Sequence, residues 1–148
     1  MFFFLVTINT YAADNNTLSP DAAKKFAQDA VIYALENNDP NLDYGKYVSP
    51  DFINHVDSNT FNFDQWVQHQ KNIKKLVKSM KPTFISMIAE GNTVAAVYRI
   101  HLIKNDGSEM DVKDIAFFVI KNNKLIFVDE LTHMMKGNEK DKEIGSMK

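Results

Sequence analysis

Residues 83–134 read TFISMIAEGNTVAAVYRIHLIKNDGSEMDVKDIAFFVIKNNKLIFVDELTHM, and the period of their apolar residues decides the fold. Apolar and polar residues alternate here instead of recurring at helical spacing, which is the pattern of strands. Gly91-Asn92, Asp106-Gly107 and Asn122-Asn123 interrupt the alternation, and each pair tolerates the positive φ of a two-residue hairpin loop. The spacing predicts four antiparallel strands, at about 83–90, 93–105, 108–121 and 124–134.

Two-residue loops throughout imply a register. Asn105 would pair with Ser108, placing Arg99 opposite Asp114 and His101 opposite Val112. Lys121 would pair with Lys124, placing Ala116 opposite Asp129, and Phe84 would lie beside Arg99. One face then carries Val94, Ala96, Tyr98, Ile100, Ile115, Phe117 and Val119. The other carries Phe84, Val97, Ala116, Phe118 and Phe127 together with Arg99, His101, Asp114, Asp129 and His133. Both faces need cover, and the expected helices can shield only one, so the first face is expected to meet a second copy of the chain in a homodimer.

Upstream of the strands the period is helical. Ser19-Pro20-Asp21 is a helix start, with Ser as N-cap, Pro at the first helical position and an acid in the first turn. Ala23, Phe26, Ala27, Ala30, Val31, Ala34 and Leu35 follow at helical spacing, and Asn37-Asn38-Asp39-Pro40 ends the run. A short helical turn is expected over Leu42–Val48 and a short strand over Phe52–Val56. Asn62 and Gln65 form a capping box, flanked by Phe61 and Trp66 as a hydrophobic staple. The helix they open is expected to reach about Met80. Lys71, Lys74, Lys75, Lys78 and Lys81 would lie on its outer side, either as a solvated face or as a surface for an anionic partner.

Composition limits the function classes. The 148 residues suffice for one domain, and 45% hydrophobic and 24% charged residues are ordinary globular usage. A net charge of −2 offers no basic field for a phosphate backbone, so no nucleic-acid partner is expected. The absence of cysteine removes disulfides, thiolate nucleophiles and cysteine-held zinc. No His/Asp/Glu spacing suggests a metal and no glycine-rich loop suggests a nucleotide, so neither metal nor cofactor is expected. No run approaches the ~18 apolar residues of a membrane span. Residues 1–13, MFFFLVTINTYAA, resemble the end of a signal peptide cut after Ala12, although no Lys or Arg precedes the apolar run. Secretion or a periplasmic location follows from that reading. A cytoplasmic protein with an apolar arm packed on the domain is the alternative. The domain is expected over 19–136, with 137–148 as a flexible tail.

The order helix, short helix, short strand, long helix and four antiparallel strands resembles the cone of the NTF2-like superfamily. Three local patterns resemble its SnoaL-like members: Phe52-Ile53-Asn54-His55, Ile88-Ala89-Glu90-Gly91-Asn92-Thr93-Val94, and Asp114-Ile115-Ala116-Phe117 followed by Asn123-Lys124-Leu125-Ile126. The resemblance covers about Ser19 to Lys136. It implies an α+β, cystatin-like fold in which three N-terminal helices pack on a curved antiparallel sheet. It also implies that His55 looks into a pocket. The His-Trp-Asp that such proteins often carry late in the last strand is here Val128-Asp129-Glu130, so the acid corresponds to Asp129 or to Glu130, which face opposite ways. The ketosteroid isomerase branch places a tyrosine and two acids roughly where Tyr33, Asp57 and Asp114 stand.

The candidates for proton transfer are therefore His55, Asp57, Asp114 and Asp129. Those expected to line a ligand pocket are Tyr33, Phe84, Val97, Arg99, Phe118 and Phe127. An Arg99–Asp114 ion pair that merely neutralises itself is the competing reading of the central cluster. The superfamily hosts several functions on one scaffold. The expectation is a dimeric domain binding a small, largely apolar molecule. The alternatives are a cofactor-free acid–base enzyme (a cyclase, isomerase or dehydratase) and a structural dimerisation module of an exported complex.

Overall fold

A computed structural model describes residues 17–142 and residue 144, so the signal-like stretch 1–13 lies outside the described residues. The capped segments form as their sequences require. Helix α1 (Pro20–Glu36) starts at Ser19, whose side chain accepts from the Ala22 N–H. Helix α2 (Phe63–Leu76) starts at the Asn62–Gln65 capping box, with both reciprocal bonds at 3.0 Å. These bonds satisfy N–H groups that the first helical turn leaves without partners. Phe61, in front of the box, stacks its ring on His69.

The six strands are β1 (Val48–Val56), β2 (Asn59–Asn62), β3 (Val77–Glu90), β4 (Thr93–Lys104), β5 (Glu109–Lys121) and β6 (Lys124–Lys136). They form one sheet in the order β2-β1-β6-β5-β4-β3, with β1 parallel to β6 and the other pairs antiparallel. Helix α1 lies across β3 and β4, and α2 crosses β1, β2 and β3. The buried stripe of α1 is Ala23, Ala27, Ala30, Val31 and Ala34. Side chains this small let the helix axis approach the sheet closely, which closes that side of the cone.

Only two α-helices occur among the described residues, where three were expected. The segment expected to coil over 42–48 makes a single 3-10 turn, Tyr44–Lys46. Val48 is already in β1 opposite Leu125, and the Leu125 N–H donates to the Tyr47 carbonyl. Sheet pairing therefore outcompetes a second helical turn. Pro50, which has no N–H to give a ladder, sits where the β1–β6 register is interrupted, between Val48 and Ile53. Helix α2 stops at Leu76 rather than near Met80, because Val77 and Met80 are buried as strand residues of β3. The lysine series is split accordingly. Lys74 turns inward, its ammonium donating to the Asn37 carbonyl and lying 5.3 Å from the Tyr44 ring centre. Burial pushes its pKa down to about 8.

The strand register departs from uniform two-residue loops at several places, three of which decide where the site residues fall. Between β4 and β5 the Lys104 N–H donates to the Ser108 carbonyl, leaving the three-residue loop Asn105-Asp106-Gly107 with Gly107 at φ +83°. This is the longer hairpin with a left-handed third residue. It moves the pairing by one, so Asp114 faces Tyr98, and Arg99 faces Lys113. The β5–β6 loop is the expected Asn122-Asn123 pair, at φ 50° and 55°. A bulge beyond it then sets Ala116 opposite Glu130 rather than Asp129. Another bulge, at Ile85, brings Phe84 opposite Tyr98 instead of beside Arg99. A slip of one residue exchanges the two faces of a strand, and these slips redistribute the side chains of the sheet.

The inner face now carries Val94, Ala96 and Tyr98 on β4, Asp114, Ala116 and Phe118 on β5, and Val128 on β6, all buried. Arg99, Ile115, Phe117, Asp129, Leu131 and His133 are exposed on the outer face. Past Gly137 the chain, expected to be loose, makes a 3-10 turn. Asp141 there is buried against Lys104 at 2.8 Å, and Ile144 is buried in the second core cluster.

Candidate functional site

The concave face of the sheet and the two helices enclose a cavity of about 120 Å³. Its walls are mostly apolar: Ala30, Val31 and Ala34 from α1, Trp66 and Ile73 from α2, and Phe52, Phe118 and Val128 from the sheet. Polar groups enter at a few points. Asn54, Tyr98, Asp114 and Glu130 come from the sheet wall, while His69 and Gln70 come from α2. No lysine or arginine stands among the lining residues.

The sheet wall builds its polar cluster by alternation. In β1, Phe52, Asn54 and Val56 point inward and Ile53 and His55 outward. The Asn54 amide donates to Glu130 Oε1 at 3.0 Å and to the Val128 carbonyl at 3.4 Å. The Tyr98 hydroxyl donates to Glu130 Oε2 at 3.4 Å. Asp114 is opposite Tyr98 on the neighbouring strand and is buried. Among the described residues three buried oxygens have no hydrogen-bond partner: Asn54 Oδ1, Asp114 Oδ1 and Gln70 Oε1. Such atoms are rare in folded proteins, because a polar group taken from water without a new partner costs free energy.

The electrostatics follow from burial, with no lysine or arginine among the described lining residues. Burial pushes the Asp114 carboxyl up to about 8, with the nearby Glu130 charge as the second cause. Burial likewise pushes Glu130 up to about 7, only partly offset by the hydrogen bonds from Asn54 and Tyr98. Burial and the same two acids raise Tyr98 well above the usual phenol range. Both carboxyls are held well above the ordinary carboxylate range, so the two behave as one coupled acid pair. A neutral carboxylic acid in an apolar cavity is a hydrogen-bond donor, and a neighbouring carboxylate is a base.

No family model matches the chain. It is similar to an uncharacterised protein of Schizosaccharomyces pombe, C11D3.04c, at 28% identity over 101 residues, which cover 68% of this chain and 78% of that protein. Among solved structures it superposes on AclR from Streptomyces galilaeus with a TM-score of 0.68 and 15% identity, covering 88% of this chain and 89% of AclR. It also superposes on the putative SnoaL-like polyketide cyclase from Jannaschia sp. CCS1 with a TM-score of 0.57 and 15% identity, over 73% of this chain and 85% of that one. The fold is that of the NTF2-like, SnoaL-like proteins. Identities at this level establish the scaffold and leave the chemistry to the residues that line the cone.

Within that SnoaL-like cone the sequence-derived candidates part company. Asp114 and Phe118 line the cavity. His55 does not, because it lies on the outer face, edge-on to Phe127 at 5.1 Å and paired in register with Asp129. Asn54 takes the inward position instead. Asp57, at φ 52° in the β1–β2 turn, accepts from the Thr132 N–H at 2.9 Å and from its hydroxyl at 2.6 Å. It clamps β1 to β6 at the surface. Asp129 is exposed outside the cone, so the inward acid of Val128-Asp129-Glu130 is Glu130.

Tyr33 packs on Tyr47 at 5.2 Å, with Lys46 over its ring, and is not among the lining residues. Phe84 stacks on Tyr98 at 5.0 Å, behind the cavity wall. Val97, Arg99 and Phe127 belong to the outer face, so the expected Arg99–Asp114 pair does not form. His101, also outside, pairs with Asp111 at 2.8 Å.

Asn54, Tyr98 and Gln70 were not among the sequence-derived candidates, and Glu130 stood only as the alternative to Asp129. Two of them left a trace. Asn54 sits between inward Phe52 and Val56 in an alternating strand, and Gln70 follows Trp66 by four residues and precedes Ile73 by three, on the buried stripe of α2.

Proposed function

We propose that the cone binds a small, largely apolar carbonyl compound and that Asp114 and Glu130 act on it as a cofactor-free acid and base. The observation that carries this reading is a buried Asp114 and a half-buried Glu130 in an apolar cavity whose described lining residues include no lysine or arginine. A scaffold kept only for its stability gains nothing from such a pair, because burying it disfavours the folded state at neutral pH. The cavity volume is on the scale that holds one six-membered ring.

In the proposed reaction the Glu130 carboxylate takes a proton from the carbon beside the ligand carbonyl. The C–H electron pair becomes the carbon–carbon π bond of an enol, and the carbonyl π pair moves to oxygen, which receives the Asp114 proton. Return of the Glu130 proton to carbon, at the same or a conjugated position, with the enol O–H proton going back to Asp114, regenerates the carbonyl and both acids. The chemistry needs one proton shared by the two acids, with Asp114 protonated and Glu130 ionised, and the upward shift of both keeps a proton on the pair near neutral pH.

The test needs no natural substrate. Exchange of the α-hydrogens of cyclohexanone in D2O, followed by proton NMR, is expected to be faster with the protein than with the Asp114→Asn or Glu130→Gln variant. Equal rates for all three, with cyclohexanone still bound, would leave a binding module without acid–base action.

We also propose that the outer face of the sheet meets a second copy of the chain. Ile115 is 50%, Phe117 54% and Leu131 63% exposed there, a contiguous apolar surface of the kind that marks an interface. Val94, Ala96 and Tyr98, expected from sequence to share that face, lie inside the cone.

A further inference from the structure

The helical wall of the cavity carries one orphaned polar atom that the acid pair does not use. Gln70 is 8% exposed, lines the cavity, and its Oε1 has no partner. It stands on α2 between Trp66 and Ile73, which are both buried and both part of the lining. Next to it, His69 is stacked on Phe61. Asp114, Glu130 and Asn54 line it from the sheet wall. The cavity thus has polar groups on two different walls, Gln70 on the helical one and the acids with Asn54 on the sheet, among mostly apolar lining.

We infer that Gln70 is a second ligand subsite, taking a hydroxyl on the far side of a ring whose carbonyl meets Asp114. This rests on the carbonyl-ligand reading above and narrows it to a hydroxy-ketone class. An amide oxygen buried without a partner is a hydrogen-bond acceptor awaiting a donor. A hydroxyl supplies that donor without charge, as an apolar cavity requires. An ammonium donor would bring a charge that only the acid pair on the sheet wall could balance. Specificity gained this way is large, because an analogue lacking the hydroxyl leaves Gln70 Oε1 unpaired in the bound state.

The test is a double-mutant-style cycle read by isothermal titration calorimetry at pH 7.5. The probes are 4-hydroxycyclohexanone and 4-methylcyclohexanone, similar in size and both carrying the carbonyl. The proteins are wild type and Gln70→Met, a nearly isosteric change that strands no partner; Gln70→Leu is a second apolar variant. The expected result is that the hydroxy-to-methyl affinity ratio falls about tenfold from wild type to both variants, while 4-methylcyclohexanone binds all three alike. An unchanged ratio, or an equal loss for both probes, would overturn the inference and leave the carbonyl reading standing. Failure of wild type to bind either ketone would overturn both.

Discussion

Replacing Asp114 with Asn separates a functional acid from a structural one through the pH dependence of stability. The unfolded chain releases the Asp114 proton in the ordinary carboxylate range, whereas the folded protein holds it up to about 8. Between those limits the folded state carries a proton that the unfolded state has lost. Stability contributed by this group is therefore fully present in acid and falls as pH rises, by about 1.4 kcal/mol per pH unit, until the folded carboxyl ionises. Asparagine has nearly the same shape and no titration. Wild type and Asp114→Asn should thus be close in stability near pH 4. The variant should then gain on wild type through neutrality, by several kcal/mol in total, and the difference should level off above about pH 8. Urea denaturation of both proteins from pH 4 to pH 9 measures it, since titrations of groups other than the coupled Glu130 cancel in the difference. Parallel profiles would refute a buried acid without a cation. A variant much less stable at every pH would mean that Asp114 holds an ionised partner, as in the Arg99 pairing that the uniform two-residue register implied.

Two further outcomes are expected. If the outer face joins two copies, Ile115→Lys or Phe117→Lys should convert a homodimer to a monomer or an aggregate by light scattering, and a wild-type monomer at micromolar concentration would refute the pairing. Removing the Asn62 cap by Asn62→Ala should cost about 1 kcal/mol in urea denaturation, because one side-chain acceptor of the α2 capping box disappears; no loss would show that β2, and not the cap, fixes the start of the helix.

Both α-helix starts and the turn positions of all three large hairpins were legible in the sequence. Ser19 and Asn62 cap by bonding to N–H groups two or three residues away, and Asn122-Asn123 adopts positive φ because its own side chains tolerate it. These are local energies, so local sequence determines them. From the turns and the alternation follow an antiparallel sheet and the SnoaL-like order of elements.

Which face each side chain joined was settled only in three dimensions. Asp106-Gly107 serves a two-residue loop or the longer loop of Asn105-Asp106-Gly107 about equally well, and the sheet takes the longer one. That choice, with the bulges at Ile85 and beyond Lys124, puts Phe84, Tyr98, Ala116 and Phe118 together in the core. It sends Arg99, Val97 and Asp129 outside. The energy that selects it is the burial of those side chains against α1 and α2, a sum over distant residues that no short window contains. Strand β1 is decided the same way, since its parallel pairing with β6 depends on an element about 75 residues later in the chain. Asn54, Glu130 and Gln70 meet Asp114 in one cavity only because the sheet curls around the helices. The local sequence therefore determined the elements and their order, and packing across the cone decided which acids it encloses.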